Sequence, residues 1–173
     1  MKFGANTQIW VAPFKAEDIG LIEKVAEMGF DVIELGVASE KPPFETKQVR
    51  QRLKDTGLES CVCSFIPADR DIAGSDPGDA TPYQGEAIRV TGRHLKHFHA
   101  CENDRGTPGS GQVRWNSVRD ALRDIRYDSS IVIEGFNPEV VDLANGARIW
   151  RPMAPTPDDL ARDGLEFLTN LFS

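Results

Sequence analysis

Side chains that could bind a metal ion or move a proton cluster in one stretch, residues 94–115, which reads HLKHFHACENDRGTPGSGQVRW. His97 and His99 alternate with other residues as in a short strand over 95–100. A polar loop with Glu102 and Arg105 follows, and its glycines and proline disfavour regular structure. Imidazole, carboxylate and guanidinium groups are therefore predicted at the carboxyl end of a strand. In parallel α/β architectures, active sites lie at the carboxyl ends of the strands.

Two more carboxylates lie inside apolar runs. Glu134 interrupts SIVIEGF at 130–136, and Glu34 interrupts FDVIELGV at 30–37. A carboxylate in so apolar a strand needs a partner, which favours a functional origin for Glu134. Glu34 either faces the same site and serves a substrate, or pairs with a lysine. Arg105 either belongs to the site or pairs with a neighbouring loop carboxylate, Glu102 or Asp104. His97 is interpreted as a neighbour of His99 without a role of its own.

The elements that must position these groups follow a βα rhythm, as parallel units with right-handed crossovers do. Residues 67–83 break the rhythm with prolines and glycines, and 137–156 read as a loop. Asn116 or Ser117 is the predicted N-cap of the fourth helix, and Thr156 that of the last. The predicted strands are 2–10, 30–37, 58–66, 95–100 and 130–136; the predicted helices run from after Pro13 to Gly29, then 45–56, 86–91, 116–125 and 157–172.

Composition excludes several classes of partner. The 173 residues are 40% hydrophobic, which suffices for one domain with its own core. A net charge of −7 argues against nucleic acid and membrane surfaces as partners. The sequence has no apolar run near the ~20 residues of a membrane span and no signal-peptide core, so a cytoplasmic location is expected. Cys61, Cys63 and Cys101 lack a pairing or finger spacing, and free thiols in a reducing compartment explain them best.

The motifs HFHACENDRGTPGSGQVRW and IVIEGF resemble the xylose-isomerase-like sugar isomerases and epimerases, particularly the ketose 3-epimerase and hydroxypyruvate-isomerase branches. The resemblance covers residues 2–73 and again about 87–172. It implies a TIM barrel whose mouth holds a divalent metal, Mn, Mg or Co. It implies that His99 and Glu134 are metal ligands, that Glu134 also moves the substrate proton, that Arg105 contacts the sugar, and that Phe136 forms an apolar wall beside it. Glu34 is a further candidate substrate residue.

The sequence departs from this family in its middle. A complete (β/α)8 barrel typically needs ~250 residues, and strands four to six of the family would fall between Pro77 and Ala87. The expected fold is therefore α/β, a parallel sheet of about five βα units forming an incomplete TIM barrel within one domain, 1–173, with an irregular junction at about 67–86. Because the last barrel strand pairs with the first, strands seven, eight, one, two and three should lie side by side. The inner face and both edges should be open, which favours a homo-oligomer.

Three functions remain open. The first is a metal-dependent sugar isomerase or epimerase that moves a proton next to a carbonyl. The resemblance implies four metal ligands, a Glu, an Asp, a His and a second Glu, and the activity would be impaired because the first Glu and the Asp belong to the missing strands. The second is a non-catalytic fold remnant or a weak sugar- or metal-binding homo-oligomer. An endonuclease of the related barrel superfamily fits worse, because it would need more than the three histidines present and a basic surface. Acidic residues near the junction could replace the missing ligands: Asp69, Asp71, Asp76, Asp79 and Glu86.

Overall fold

Five parallel strands form one sheet in the computed structural model, which describes residues 1–37, 43–63, 84–147 and 149–173. The strands are β1 (Lys2–Asn6), β2 (Val32–Gly36), β3 (Glu59–Cys63), β4 (Phe98–Ala100) and β5 (Ser130–Ile133). Their spatial order is β3-β2-β1-β5-β4. This order confirms the predicted neighbourhood of the first three and last two barrel strands. Most of the predicted junction, including the candidate ligands at 69, 71, 76 and 79, lies outside the described residues.

Helices connect and cover these strands. They are α1 (Leu21–Glu27), α2 (Thr46–Thr56), α3 (Gln84–Thr91), α4 (Trp115–Asp124), α5 (Val141–Ala147) and α6 (Pro157–Phe172), with short 3-10 turns at Thr7–Ile9, Ala16–Asp18 and Gly92–His94. The predicted last helix is confirmed, and the Thr156 hydroxyl accepts a hydrogen bond from the Asp159 amide. No helix of the described residues is long and apolar enough to cross a membrane.

Three local predictions are wrong. The predicted N-cap at Asn116 or Ser117 fails, because α4 begins at Trp115, whose indole is anchored in the preceding loop. The first strand ends at Asn6 instead of Trp10, because the Asn6 side chain accepts a hydrogen bond from the Gln8 amide and turns the chain into a 3-10 helix. The predicted loop after residue 136 contains α5, whose Leu143 packs in a small apolar cluster; packing outweighs the poor helix propensity of its asparagine and glycine.

The outer face of the sheet carries the core. Alternate residues of the strands, among them Ala5, Ile33 and Ile131, are fully buried against the helices. The helices contribute matching apolar positions at helical spacing. The fully buried members on α1, α4 and α6 are Ile22, Val25, Val118, Ala121, Leu122, Ala161 and Leu168.

The inner face is not open at its centre, contrary to the expectation from the missing strands. Val32 and Val132 are buried there on either side of Gly4, where a Cβ would lie 3.0 Å from the Val132 Cγ2 and Val32 Cβ atoms. The sheet also curls strongly. In a flat sheet, β4 and β2 would lie three strand spacings apart, about 14 Å, yet side chains of His99 and Glu34 on these strands are in hydrogen-bond contact at 2.7 Å. Curl and a small residue on the middle strand therefore close this face.

Candidate functional site

Glu34, on β2, is the centre of the polar cluster on the inner face. Its side chain is 3% exposed. Its Oε2 atom accepts a hydrogen bond from Asn6 Nδ2 at 2.6 Å and lies 2.7 Å from His99 Nε2. Its Oε1 atom lies 3.0 Å from His97 Nε2 and accepts a hydrogen bond from the Cys61 thiol at 3.7 Å. The predicted alternative for Glu34, a lysine partner, is wrong, and the imidazole of His99 takes that place.

Strand register builds this cluster. Asn6 and Cys61 are the paired neighbours of Glu34 on β1 and β3, so the three side chains share one row of the inner face. His97 and His99 are two residues apart and therefore point to the same side. Sequence reasoning missed Asn6, Cys61 and His97. The signal that could have found them is a polar or sulfur-containing residue at the same depth in three strands.

His97 makes an unusual contact. Its ring stands edge-on to that of His99, with centroids 4.9 Å apart and planes at 80°. Its buried Nε2 atom lies 3.0 Å from Glu34 Oε1 but forms no hydrogen bond with any group in the part of the chain that the structure describes. The short distance does not imply a hydrogen bond, because a hydrogen bond also requires the donor hydrogen to point toward the acceptor. His97 therefore is a neighbour of His99, as interpreted from the sequence, and it also lies beside Glu34.

Glu134 forms the second part of the site, directly after β5, and its side chain is 19% exposed. Its Oε1 atom lies 3.5 Å from His99 Nδ1, and its Oε2 atom lies 3.6 Å from Arg105 Nη1. The Arg105 guanidinium also lies over the Phe136 ring, 5.4 Å from its centroid. The structure thus brings together all five residues chosen from the sequence, with His99 between the two carboxylates.

The loop after β4 holds Arg105 in this position. Glu102, buried beneath the loop, accepts hydrogen bonds from the Trp115 indole at 2.5 Å and from the Gly109 amide at 2.9 Å. Asp104 pairs with Arg151 at 2.7 Å. Both loop carboxylates are therefore engaged elsewhere, and Arg105 approaches Glu134 instead. Arg105 itself has a positive φ of 69°, a conformation that the surrounding bonds must maintain.

The charges of the cluster are coupled. Burial alone would raise the pKa of Glu34, but the hydrogen bond with His99, the charges of both histidines and the Asn6 amide lower it overall. The hydrogen bond to Glu34 raises the pKa of His99, aided by the charges of Glu34 and Glu134 and opposed by burial. Burial, followed by the charge of Glu34, raises the pKa of the Cys61 thiol to about 12. An ionised carboxylate beside a proton-holding imidazole is the favoured state.

Two sets of donor atoms could hold a metal ion. His99 Nδ1 and Glu134 Oε1, 3.5 Å apart, fit as adjacent ligands of a hard divalent ion, since ligands at about 2.1 Å and right angles lie about 3 Å apart. Water would have to complete the remaining positions of that ion. Among the described residues, Glu34, Cys61 and His97 also bring one ligand atom each within 4.8 Å of one another.

Comparison with known proteins matches this chain to a family. The model of the xylose isomerase-like TIM barrel family matches residues 76–171. A probable ketose 3-epimerase of Synechocystis is 45% identical over 87 residues, which are 50% of this chain and 30% of that protein. A D-psicose 3-epimerase of Agrobacterium fabrum is 34% identical over 88 residues, again 30% of its length. The sequence matches thus cover less than a third of these relatives.

Solved structures agree on the fold. A D-allulose 3-epimerase from Methylomonas superposes with a TM-score of 0.86 at 17% identity, covering 99% of this chain and 98% of that one. An L-ribulose 3-epimerase gives a TM-score of 0.87 at 16% identity, covering 99% and 94%. The structural alignments extend over 99% of this chain, whereas the two sequence matches extend over 50% and 48% of it. Together with the parallel sheet, these superpositions show the fold. The family match, which extends over more than half of the chain, shows that the chain belongs to the xylose isomerase-like TIM barrel family.

Proposed function

We propose that the Glu134 side of the cluster binds an open-chain ketose and moves a proton on the carbon next to its carbonyl, as an isomerase or epimerase does. The observation that carries this proposal is the setting of Glu134. Its partly exposed carboxylate lies between an imidazole and a guanidinium, beside an aromatic ring. The names of the relatives, ketose 3-epimerase and D-psicose 3-epimerase, support the substrate class.

Each residue has a role in this proposal. Glu134 removes the proton from the carbon next to the carbonyl, and the bonding electrons move onto the carbonyl oxygen. Arg105 places its positive charge beside Glu134, where the negative charge develops on the substrate. Phe136 supplies an apolar wall for the carbon face of the sugar. Glu34 serves the substrate through His99, because both of its carboxylate oxygens are already engaged and its side chain is buried.

A divalent ion such as Mn, Mg or Co would be held by His99 Nδ1 and Glu134. When bound, it would polarise the carbonyl and neighbouring hydroxyl of the sugar. Glu34 would then act behind the metal ligand, because the hydrogen bond to His99 Nε2 fixes the orientation of the ring. Carboxylates hydrogen-bonded to metal-binding histidines have this orienting effect in many metalloenzymes.

Glu134 alone serves one face of the substrate. Inverting a carbon requires one group to remove the proton and another, on the opposite face, to return it. Glu34 is not available for that task, because it is buried behind His99. We therefore expect the chain to exchange the substrate hydrogen, or to isomerise by returning it to the same face, faster than it epimerises.

Proton exchange with solvent tests the proposal. Ketohexoses and ketopentoses are incubated with the protein and Mn in heavy water, and deuterium next to the carbonyl is followed by NMR. Exchange is expected in the wild type and lost in Glu134→Gln. Glu139→Gln changes an exposed glutamate of the following loop and should leave exchange intact. A folded wild type that exchanges none of the sugars would overturn catalysis and favour the non-catalytic sugar-binding alternative.

We further propose that the chain forms homo-oligomers through its sheet edges. β3 and β4 are the edge strands of the described sheet, and Val62 on β3 is 63% exposed. Exposed apolar edge strands associate readily. Sedimentation velocity should show a dimer or larger species, and Val62→Lys should shift it toward monomer. A wild type that sediments as a monomer at all concentrations would contradict this.

A further inference from the structure

We propose that Glu34, Cys61 and His97 form a second metal centre, selective for a thiol-binding divalent ion of the zinc class. It uses Glu34 Oε1, Cys61 Sγ and His97 Nε2, none of which belongs to the pair formed by His99 Nδ1 and Glu134. The inference does not depend on the proposed proton transfer. It rests on three features of the described residues: the spacing of the donors, the anchoring of Glu34, and the state of His97.

The donor spacing matches a tetrahedral ion. Bonds of about 2.1 Å to nitrogen and oxygen and about 2.3 Å to sulfur put tetrahedral ligands about 3.4 Å apart for nitrogen to oxygen and about 3.6 Å for sulfur to oxygen. The corresponding distances here are 3.0 Å from His97 Nε2 to Glu34 Oε1 and 3.7 Å from Cys61 Sγ to the same oxygen. For these two pairs, shifts of a few tenths of an ångström would suffice to seat the ion, and the third pair, Cys61 with His97, lies within 4.8 Å.

Glu34 is anchored as a metal-binding carboxylate usually is. Its other oxygen, Oε2, receives both the Asn6 amide and the His99 ring nitrogen, at 2.6 and 2.7 Å. Oε1 is thereby turned toward His97 and Cys61. Hydrogen bonds of this kind fix first-shell ligands and contribute to metal affinity. The arrangement gives each carboxylate oxygen a separate task.

His97 supplies an independent observation. Its Nε2 atom is buried and makes no hydrogen bond with any described residue, although it lies 3.0 Å from a carboxylate oxygen. A buried polar nitrogen without a partner costs free energy, commonly about 1–3 kcal/mol. Coordination of an ion by this nitrogen would remove the cost, since a neutral imidazole donates its lone pair to the metal.

The donor set defines the class of metal. Thiolate and imidazole ligands favour zinc and related ions, whereas Mg and Mn favour oxygen. Cys63 is engaged by the Asn6 amide at 3.3 Å, so it is held apart from this centre. Three protein ligands leave a fourth position for water or a sugar hydroxyl, as in catalytic zinc sites. On binding, the Cys61 thiol gives its proton to solvent and the ion–sulfur bond forms.

Cobalt(II) is the probe that reads out this centre directly. Titration of the reduced protein with Co should give a thiolate-to-cobalt charge-transfer band that saturates near one equivalent bound at this centre and vanishes when Zn is added. Co held by His99 and Glu134 has no thiolate ligand and does not contribute to this band. Cys61→Ser should remove the charge-transfer band. His97→Gln should weaken binding about tenfold or more, because even a lost orienting partner costs 10–100-fold. The controls Cys63→Ser and Glu134→Gln should keep the band.

A second measurement uses the unmodified chain and therefore does not depend on how the variants fold. Zn should protect Cys61, but not Cys101, from alkylation, as read by peptide mass spectrometry. A wild type that shows no charge-transfer band and no protection of Cys61 would overturn the proposal. Loss of ketose exchange in Glu134→Gln with an unchanged cobalt spectrum would show that the two proposals stand or fall separately.

Discussion

Glu102 stabilises the loop that carries Arg105 by accepting hydrogen bonds from several of its groups. Its carboxylate is 4% exposed. One oxygen accepts the Trp115 indole at 2.5 Å and the Gly109 amide at 2.9 Å, and the other accepts the Val113 amide at 3.1 Å. Burial alone would raise the pKa of Glu102, but these hydrogen bonds lower it overall. The folded state therefore favours the ionised form.

Glu102→Gln keeps the shape of the side chain and removes its charge. The amide presents an NH2 group where one oxygen stood, so at least one of the buried donors loses its acceptor. Each buried donor left unsatisfied costs about 1–3 kcal/mol, and bonds to a charged acceptor are worth about 1.5–3 kcal/mol. We expect the free energy of unfolding to fall by about 3 kcal/mol.

Urea denaturation followed by tryptophan fluorescence measures this loss. With a slope of about 2 kcal/mol per molar urea, the midpoint should fall by about 1.5 M. Glu17→Gln makes the same chemical change on a side chain that is 78% exposed, and its midpoint should stay within about 0.3 M of the wild type. If the urea midpoint of Glu102→Gln equals that of the Glu17→Gln control, the Glu102 carboxylate does not stabilise the loop.

The remaining predictions concern packing and acid stability. Gly4→Ala should destabilise the protein by about 1–3 kcal/mol in urea, because the added methyl meets Val32 and Val132 at 3.0 Å. Gly20→Ala, where a methyl meets no atom of the described residues within 4 Å, should be neutral or slightly stabilising. Equal losses in both variants would refute the packing argument. The lowered pKa of Glu102 stabilises the fold fully above its ordinary value of about 4.3. That part of the stability is lost as pH falls through the lower folded-state value. The urea midpoint of the wild type should therefore fall as the pH is lowered below about 4.3. Glu102→Gln should make the midpoint less dependent on pH in this range, and an unchanged dependence would contradict the role of Glu102.

Local signals made much of the fold predictable. The last helix follows from Thr156, whose hydroxyl accepts the Asp159 amide, and from Asp158 and Asp159, whose charges complement the helix dipole in the first turn. Gly57 ends α2 in the left-handed conformation that its position after the helix suggests. The strand order followed from closure of a parallel barrel, a topological rule that needs no side-chain detail. These predictions succeeded because each depends on a few adjacent residues or on connectivity.

Contacts across the sheet could not be read in the same way. Glu34 could be placed at the mouth from its strand, but not against His99, because that contact exists only if the sheet curls through three strand spacings. The same holds for α5. Its sequence favours a loop, and the helix is stabilised by the packing of Leu143 in an apolar cluster of the folded chain. In both cases the deciding interaction joins residues distant in sequence, and hydrophobic periodicity carries no information about it.

The two ring nitrogens of His99 separate the two proposed centres. When Nδ1 binds an ion beside Glu134, Nε2 carries the proton and donates it to Glu34 Oε2, the contact at 2.7 Å. That bond leaves Glu34 Oε1 free to serve Cys61 and His97. One imidazole and one carboxylate thus join both centres while sharing no ligand atom. Loss of either ion should therefore leave the donor set of the other in place, which is why the cobalt spectrum and the proton exchange can be tested apart.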